Sequence, residues 1–133
     1  MVQRRGRRDP GPTRFEQWGG QPFFDALVER FYSGVATDPV LRPLYPDDLT
    51  ESKAHLALFL GQYWGGPPDY QAARGHPRLR MRHAPFVIGR AQADAWLAHM
   101  VAAVDGSGLG EPDRTELLDY LVMAAGSLVN ARG

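Results

Sequence analysis

The stretch Pro22-Phe23-Phe24-Asp25-Ala26-Leu27-Val28-Glu29-Arg30-Phe31-Tyr32-Ser33-Gly34-Val35-Ala36 decides the fold class. Its apolar residues Phe24, Leu27, Val28, Phe31, Tyr32 and Val35 recur three and four positions apart, so one face of a helix carries them all. Gly19-Gly20 breaks the chain ahead of it, and Pro22 suits the first position of a helix. Tyr32 lies inside the apolar stripe. A buried phenol needs a partner, so it either bonds a backbone carbonyl or offers its proton to something in a cavity.

Three more segments read the same way. Thr50 is placed to cap a helix over 51–64, with Leu56, Phe59, Leu60 and Tyr63 on one face and Gly65-Gly66-Pro67-Pro68 as its stop. Ser52 falls one turn before Leu56, whereas His55 lies on the flank and reads as a surface residue. Residues 91–105 place Trp96, Leu97, Met100, Val101 and Val104 at helical spacing before Gly106-Ser107-Gly108. Pro112 opens a last helix over 112–129, with Leu117, Leu118, Leu121, Val122, Ala125, Leu128 and Val129 inward. No run has the alternation of a strand, and the expected fold is all-α, with four helices packed as two crossed pairs.

The connections carry information too. Asp38-Pro39 has the form of an N-cap and a first helical residue, but Pro43 and Pro46 limit any helix there to one or two turns. The result is a corner that presents Leu44 and Tyr45. Residues 65–77 form a loop long enough to suggest a functional or ordering role, with Tyr70 as its large anchor. After it come Pro77-Arg78-Leu79-Arg80-Met81-Arg82-His83-Ala84-Pro85, a short segment that alternates arginine with large apolar side chains and ends on a histidine.

Composition narrows the classes of function. The chain has 133 residues, enough for one domain and one core, and 15 basic against 15 acidic side chains. Its charge is uneven, because residues 1–14 hold Arg4, Arg5, Arg7, Arg8 and Arg14 against Asp9 alone. That segment reads as a disordered arginine-rich tail ahead of a domain over 15–133. Four arginines in eight residues are only a weak signal for a nucleic-acid or acidic-partner arm. Without cysteine there is no disulfide, iron–sulfur cluster or covalent haem attachment. No apolar run suits a signal peptide or a membrane span, and a cytoplasmic location is expected. Phosphate-binding loops and the common hydrolase and metalloprotease motifs are absent from the sequence.

The stripes hold more polar-tipped aromatics than a plain core needs: Tyr32, Tyr45, Tyr63 and Trp96. Such residues suit a site where an apolar body encloses an object and hydrogen bonds must reach it. A haem is one such object. It needs an axial ligand, commonly a neutral imidazole, for which His83 is the candidate, with Leu79 and Met81 able to touch a porphyrin. Tyr32, Tyr45 and Trp96 are then candidate donors to a diatomic ligand, the indole being a donor only. At about 1 kcal/mol net for each bond, two or three donors slow release by roughly one to two powers of ten. Arg80 and Arg82 match the geometry of propionates, or else form a solvated basic surface.

Several motifs in order carry a resemblance: Arg30-Phe31-Tyr32; Val40-Leu41-Arg42-Pro43-Leu44-Tyr45-Pro46; Phe59-Leu60-Gly61-Gln62-Tyr63-Trp64-Gly65-Gly66-Pro67; Gly75-His76-Pro77 through His83-Ala84-Pro85-Phe86; and Asp94-Ala95-Trp96-Leu97. The chain resembles the truncated haemoglobins, and within them the second group, over about Phe15 to Val129. The resemblance implies a globin-like two-over-two helical sandwich enclosing haem b, with His83 as proximal iron ligand. It implies Tyr32 and Tyr45 as distal hydroxyls, Trp96 as the tryptophan that reaches the ligand, and Leu56 over the distal face. Phe59, Tyr63, Leu79, Arg80 and Arg82 complete the expected haem contacts. Ser52 stands where ordinary globins keep a distal histidine and where this group usually has alanine or glycine, a small departure that adds a weak donor.

The implied ligands are oxygen, nitric oxide and carbon monoxide. Oxygen binding, nitric oxide dioxygenation and peroxidase-like chemistry are all compatible with the resemblance. Turnover would need an electron donor, expected to be a separate reductase. A haem-based sensor that recruits a partner through the basic tail is the alternative from another class. No exposed apolar stripe names an interface, which leaves monomer and homodimer open.

Overall fold

The computed structural model describes residues 11–68, 88–127 and 129. Residues 1–10 of the expected tail over 1–14, the loop anchor Tyr70, the segment that ends at His83, and Leu128 lie outside these residues. Every regular element among the described residues is helical.

Helix α1 (Arg14–Trp18) begins one residue before the boundary expected at Phe15, with its cap one residue earlier still. The reason is a capping box: Thr13 Oγ1 accepts the Glu16 N–H at 3.2 Å while Glu16 Oε1 accepts the Thr13 N–H at 2.9 Å. Phe15 N–H donates to the Trp64 carbonyl at 2.9 Å, which pins α1 to the end of a later helix. Gly19 and Gly20, at φ 118° and 74°, then turn the chain through a conformation side chains oppose.

Helix α2 (Gln21–Val35) starts at Gln21, so Pro22 takes its second position and not its first. Its buried residues are Phe24, Leu27, Val28, Phe31, Tyr32 and Val35, the six of the sequence stripe. After it, Asp38 is not the helix cap the sequence suggests: its Oδ1 accepts the Val40 N–H at 2.8 Å within a turn, and the cap of the short helix that follows is Leu41. The adjoining corner contains one turn of 3₁₀ helix, Arg42–Leu44.

Helix α3 (Thr50–Tyr63) corrects two expectations. Thr50 is the first helical residue, and the capping oxygen belongs to Asp48, whose Oδ1 accepts the Thr50 N–H at 3.0 Å. Its buried residues are Ala57, Leu60 and Gly61, whereas Leu56 and Phe59 are half-buried and Tyr63 is 51% exposed. Small residues at Ala57 and Gly61 let α3 approach α2. A Cβ on Gly61 would lie 2.7 Å from Gln21 Oε1 and 3.2 Å from the Phe15 ring. Gly61→Val is therefore expected to destabilise the fold by about 1–3 kcal/mol through overpacking, read as a lower denaturant midpoint at unchanged slope.

Helix α4 (Arg90–Asp105) buries Ala93, Met100, Ala103 and Val104, and holds Trp96, Leu97 and Val101 half-buried. Helix α5 (Asp113–Ser127) buries Leu117, Leu121 and Ala125. Val122, expected inward, is 53% exposed. It comes one residue after the buried Leu121 and so points about 100° away from it. Pro112 precedes α5, and the helix ends two residues before the expected limit.

Helix α2 packs on α3 and also crosses α4, while α4 packs on α5. Two helix pairs laid across each other make the two-over-two sandwich, with one continuous core between them. Arg30 Nε reaches across to the Ala103 carbonyl at 3.0 Å and fixes the crossing of α2 and α4.

Candidate distal ligand pocket

The corner between α2 and α3 is what brings Tyr45 to Tyr32. Arg42 fastens it: its guanidinium donates to the carbonyls of Tyr45 (3.2 Å), Pro46 (2.9 Å) and Asp47 (2.9 Å). With these orphan carbonyls satisfied, Tyr45 lies half-buried with its ring edge-on to that of Tyr32, centroids 5.4 Å apart. Phe31, fully buried, meets Tyr32 at 4.9 Å on one side and Trp96 of α4 at 5.7 Å on the other. Neighbouring positions on α2 thereby tie the corner and α4 into one aromatic group, and Leu56 and Phe59 of α3 pack against the same core.

The electrostatics of the group are those of neutral donors. Burial, followed by the neighbouring Tyr45, holds the Tyr32 phenol far above its ordinary ionisation range. Burial pushes Tyr45 up to about 12, although its hydrogen bond with Tyr32 favours the ionised form. Both phenols stay protonated at neutral pH, and the Trp96 indole adds a donor that cannot accept. Such a set suits an uncharged ligand that gains partial negative charge on binding. A ¹³C-tyrosine titration should find Tyr45 ionising near 12, well above the ordinary phenol value of about 10. Because the folded value is raised, this phenol's share of stability is complete below about 10 and fades as pH rises towards 12.

Tyr63 belongs to a different group of rings. It stacks on Tyr120 of α5 at 4.1 Å, with Trp64 beside both and Trp18 at 4.9 Å from Trp64. The structure thus brings together Tyr32, Tyr45 and Trp96, with Leu56 and Phe59 nearby on the core, and finds the ring contacts of Tyr63 elsewhere. Ser52 is half-buried near the start of α3. His83, Leu79, Arg80 and Arg82 lie outside the described residues. Among the described residues no group of three or more histidine, cysteine or acidic side chains is placed to hold a metal ion. No described helix is long and apolar enough to cross a membrane.

The sequence reading missed three contributors. Phe31 reads in the sequence as ordinary core, Arg42 appears there only as part of a motif, and the pair of Asp38 with His99, Nε2 to Oδ2 at 2.6 Å, joins positions 61 residues apart. The proline pattern around Arg42 was the available signal, because a corner with few N–H donors of its own needs a side chain to satisfy its carbonyls.

Residues 13–130 match the model of the bacterial-like globin family. The chain is 45% identical over 111 residues to the group 2 truncated hemoglobin YjbI of Bacillus subtilis (strain 168), an alignment that covers 84% of each protein. The crystal structure of hemoglobin from Chloroflexus aurantiacus superposes with a TM-score of 0.89 at 50% identity, covering 91% of this chain and 100% of that one. For the truncated oxygen-avid haemoglobin of Bacillus subtilis the TM-score is 0.85 at 43% identity, covering 90% and 100%. The chain belongs to the bacterial-like globins, among the group II truncated haemoglobins. Globins are haem proteins that bind diatomic ligands such as oxygen, so membership implies a haem cofactor here.

Proposed function

We propose that this globin holds haem b non-covalently and binds oxygen, and likewise nitric oxide or carbon monoxide, in a pocket built for slow release. The observation that carries the reading is the convergence of Tyr32, Tyr45 and Trp96 through Phe31, three neutral donors from three separate segments. Haem, when bound, supplies the iron that takes the ligand. In this proposal His83 would hold its iron, Leu56, Phe59, Tyr63 and Leu79 would supply apolar contacts, and Arg80 and Arg82 would pair with its propionates. The likeness to an oxygen-avid haemoglobin supports the same direction.

The residues act by holding protons in place. Tyr32 is 4% exposed and its phenol has Tyr45 as a partner, so one hydroxyl of the pair orients the other. The pair then offers a proton to a ligand together with the Trp96 N–H. Burial of Tyr32 keeps water from competing for its proton.

Conversion of oxygen and nitric oxide to nitrate is a further part of the proposal, with one electron returned per turnover by a separate reductase. Reconstitution with haem should give a Soret band and a ferrous oxygen complex whose ligand leaves slowly. Stopped-flow mixing of that complex with nitric oxide, with nitrate as product, tests the reaction. A reconstituted protein without a Soret band would sink the whole proposal.

A further inference from the structure

We infer that Asp38 and His99 form a clamp that positions the distal donors, fixing the corner that carries Tyr45 against the helix that carries Trp96. The inference rests on the pocket proposed above. Asp38 closes α2 and opens the corner in a single residue. Its N–H donates to the Val35 carbonyl at 3.1 Å, its carbonyl accepts the Arg42 N–H at 2.8 Å, and its Oδ1 accepts the Val40 N–H at 2.8 Å. The remaining oxygen, Oδ2, meets His99 Nε2 at 2.6 Å. An ionised carboxylate only accepts, so Nε2 carries the proton and donates.

His99 stands three residues after Trp96 on α4, a spacing that places both side chains on neighbouring faces of one helix. The corner and the indole are therefore fastened to each other through one short bond. The side chains of His99 and Asp38 are 28% and 16% exposed, so solvent competes with the bond only in part.

A second observation points the same way. Gly34 sits inside α2, where glycine weakens a helix. A Cβ there would overlap His99 Nδ1 and come within 2.8 Å of its Cε1. The missing side chain is what lets the imidazole pack against α2 at Gly34 and reach Asp38. Sequence positions 34, 38 and 99 thus serve one contact, and Tyr32, Tyr45 and Trp96 each lie within seven residues of one of them. His99 and Asp38 touch no ligand in this scheme; they act through the residues that do.

The test uses His99→Leu, which removes the donor at similar volume, and His99→Gln, whose amide keeps a donor at similar reach. In the haem-free protein, amide exchange at Val40, Arg42 and Tyr45 should accelerate by about tenfold or more in His99→Leu, with Leu117 and Leu121 of α5 unchanged. His99→Gln should restore most of the protection. In the haem-loaded protein, oxygen should leave His99→Leu about fivefold faster, the loss of roughly one donor's contribution, and His99→Gln at close to the parent rate. Exchange that rises everywhere alike, or not at all in the corner, overturns the clamp. An off-rate that responds to Tyr45→Phe but not to His99→Leu overturns the positioning role alone. An off-rate that responds to neither overturns the pocket reading, and this inference with it.

Discussion

Replacing His83 with alanine is expected to abolish the five-coordinate ferrous haem spectrum of the reconstituted protein. Globin chemistry calls for a protein ligand to iron, commonly imidazole, and the chain has four histidines: His55, His76, His83 and His99. His99 is committed to Asp38 at 2.6 Å. His55 lies half-buried on α3 with an interaction partner of its own, and His76 is flanked in the sequence by Gly75 and Pro77. His83, proposed above as the iron ligand, is the remaining histidine, and Leu79 and Met81 precede it in the sequence. Adding free imidazole to His83→Gly should restore the spectrum, because the lost group is then supplied from solution. His76→Ala should leave it intact, and loss of the spectrum in that variant with retention in His83→Ala would move the proximal assignment.

The second large effect is expected at Trp96. Trp96→Phe should speed oxygen dissociation by about an order of magnitude or more, since a bond to an oxygen with partial negative charge is stronger than the neutral average, and about 1.4 kcal/mol already gives tenfold. Phenylalanine keeps the ring that meets Phe31 at 5.7 Å, so packing is largely preserved and the missing N–H dominates the result. Tyr45→Phe should act in the same direction but not additively with Tyr32→Phe. The two phenols are hydrogen-bonded to each other, so removing one hydroxyl also frees the other to turn. Stopped-flow off-rates for the three single variants and the tyrosine double variant separate these contributions. An unchanged rate in Trp96→Phe would leave the stabilisation to the tyrosines.

Part of the site was legible because chemistry and periodicity coincided. Tyr32 stood out as a phenol in an apolar stripe, and all six residues of that stripe are buried in α2. Tyr45 stood out at a corner whose prolines forbid a long helix. Helix α3 shows the reverse. Hydropathy points to Leu56, Phe59, Leu60 and Tyr63, but of these only Leu60 is buried, together with Ala57 and Gly61. Alanine and glycine add little hydropathy, yet they allow close approach of two backbones. The large apolar residues were left to the flank, where Leu56 and Phe59 are half-buried and Tyr63 stacks on Tyr120.

The amino-acid sequence by itself determined an all-helical chain, its four main helices to within about two residues, the family through its ordered motifs, and the tyrosines and tryptophan worth placing in a pocket. These depend on local spacing, on residues that break helices, and on side-chain chemistry, all of which are written along the chain. Only the tertiary structure decided that Phe31 joins Tyr32 to Trp96, that Arg42 closes the corner behind Tyr45, that Tyr63 keeps company with Tyr120, and that Gly34 makes room for His99 to reach Asp38. Each of these depends on how two segments distant in sequence cross. Crossing is set by which side chains are small enough to let backbones approach and which polar groups would otherwise be buried alone.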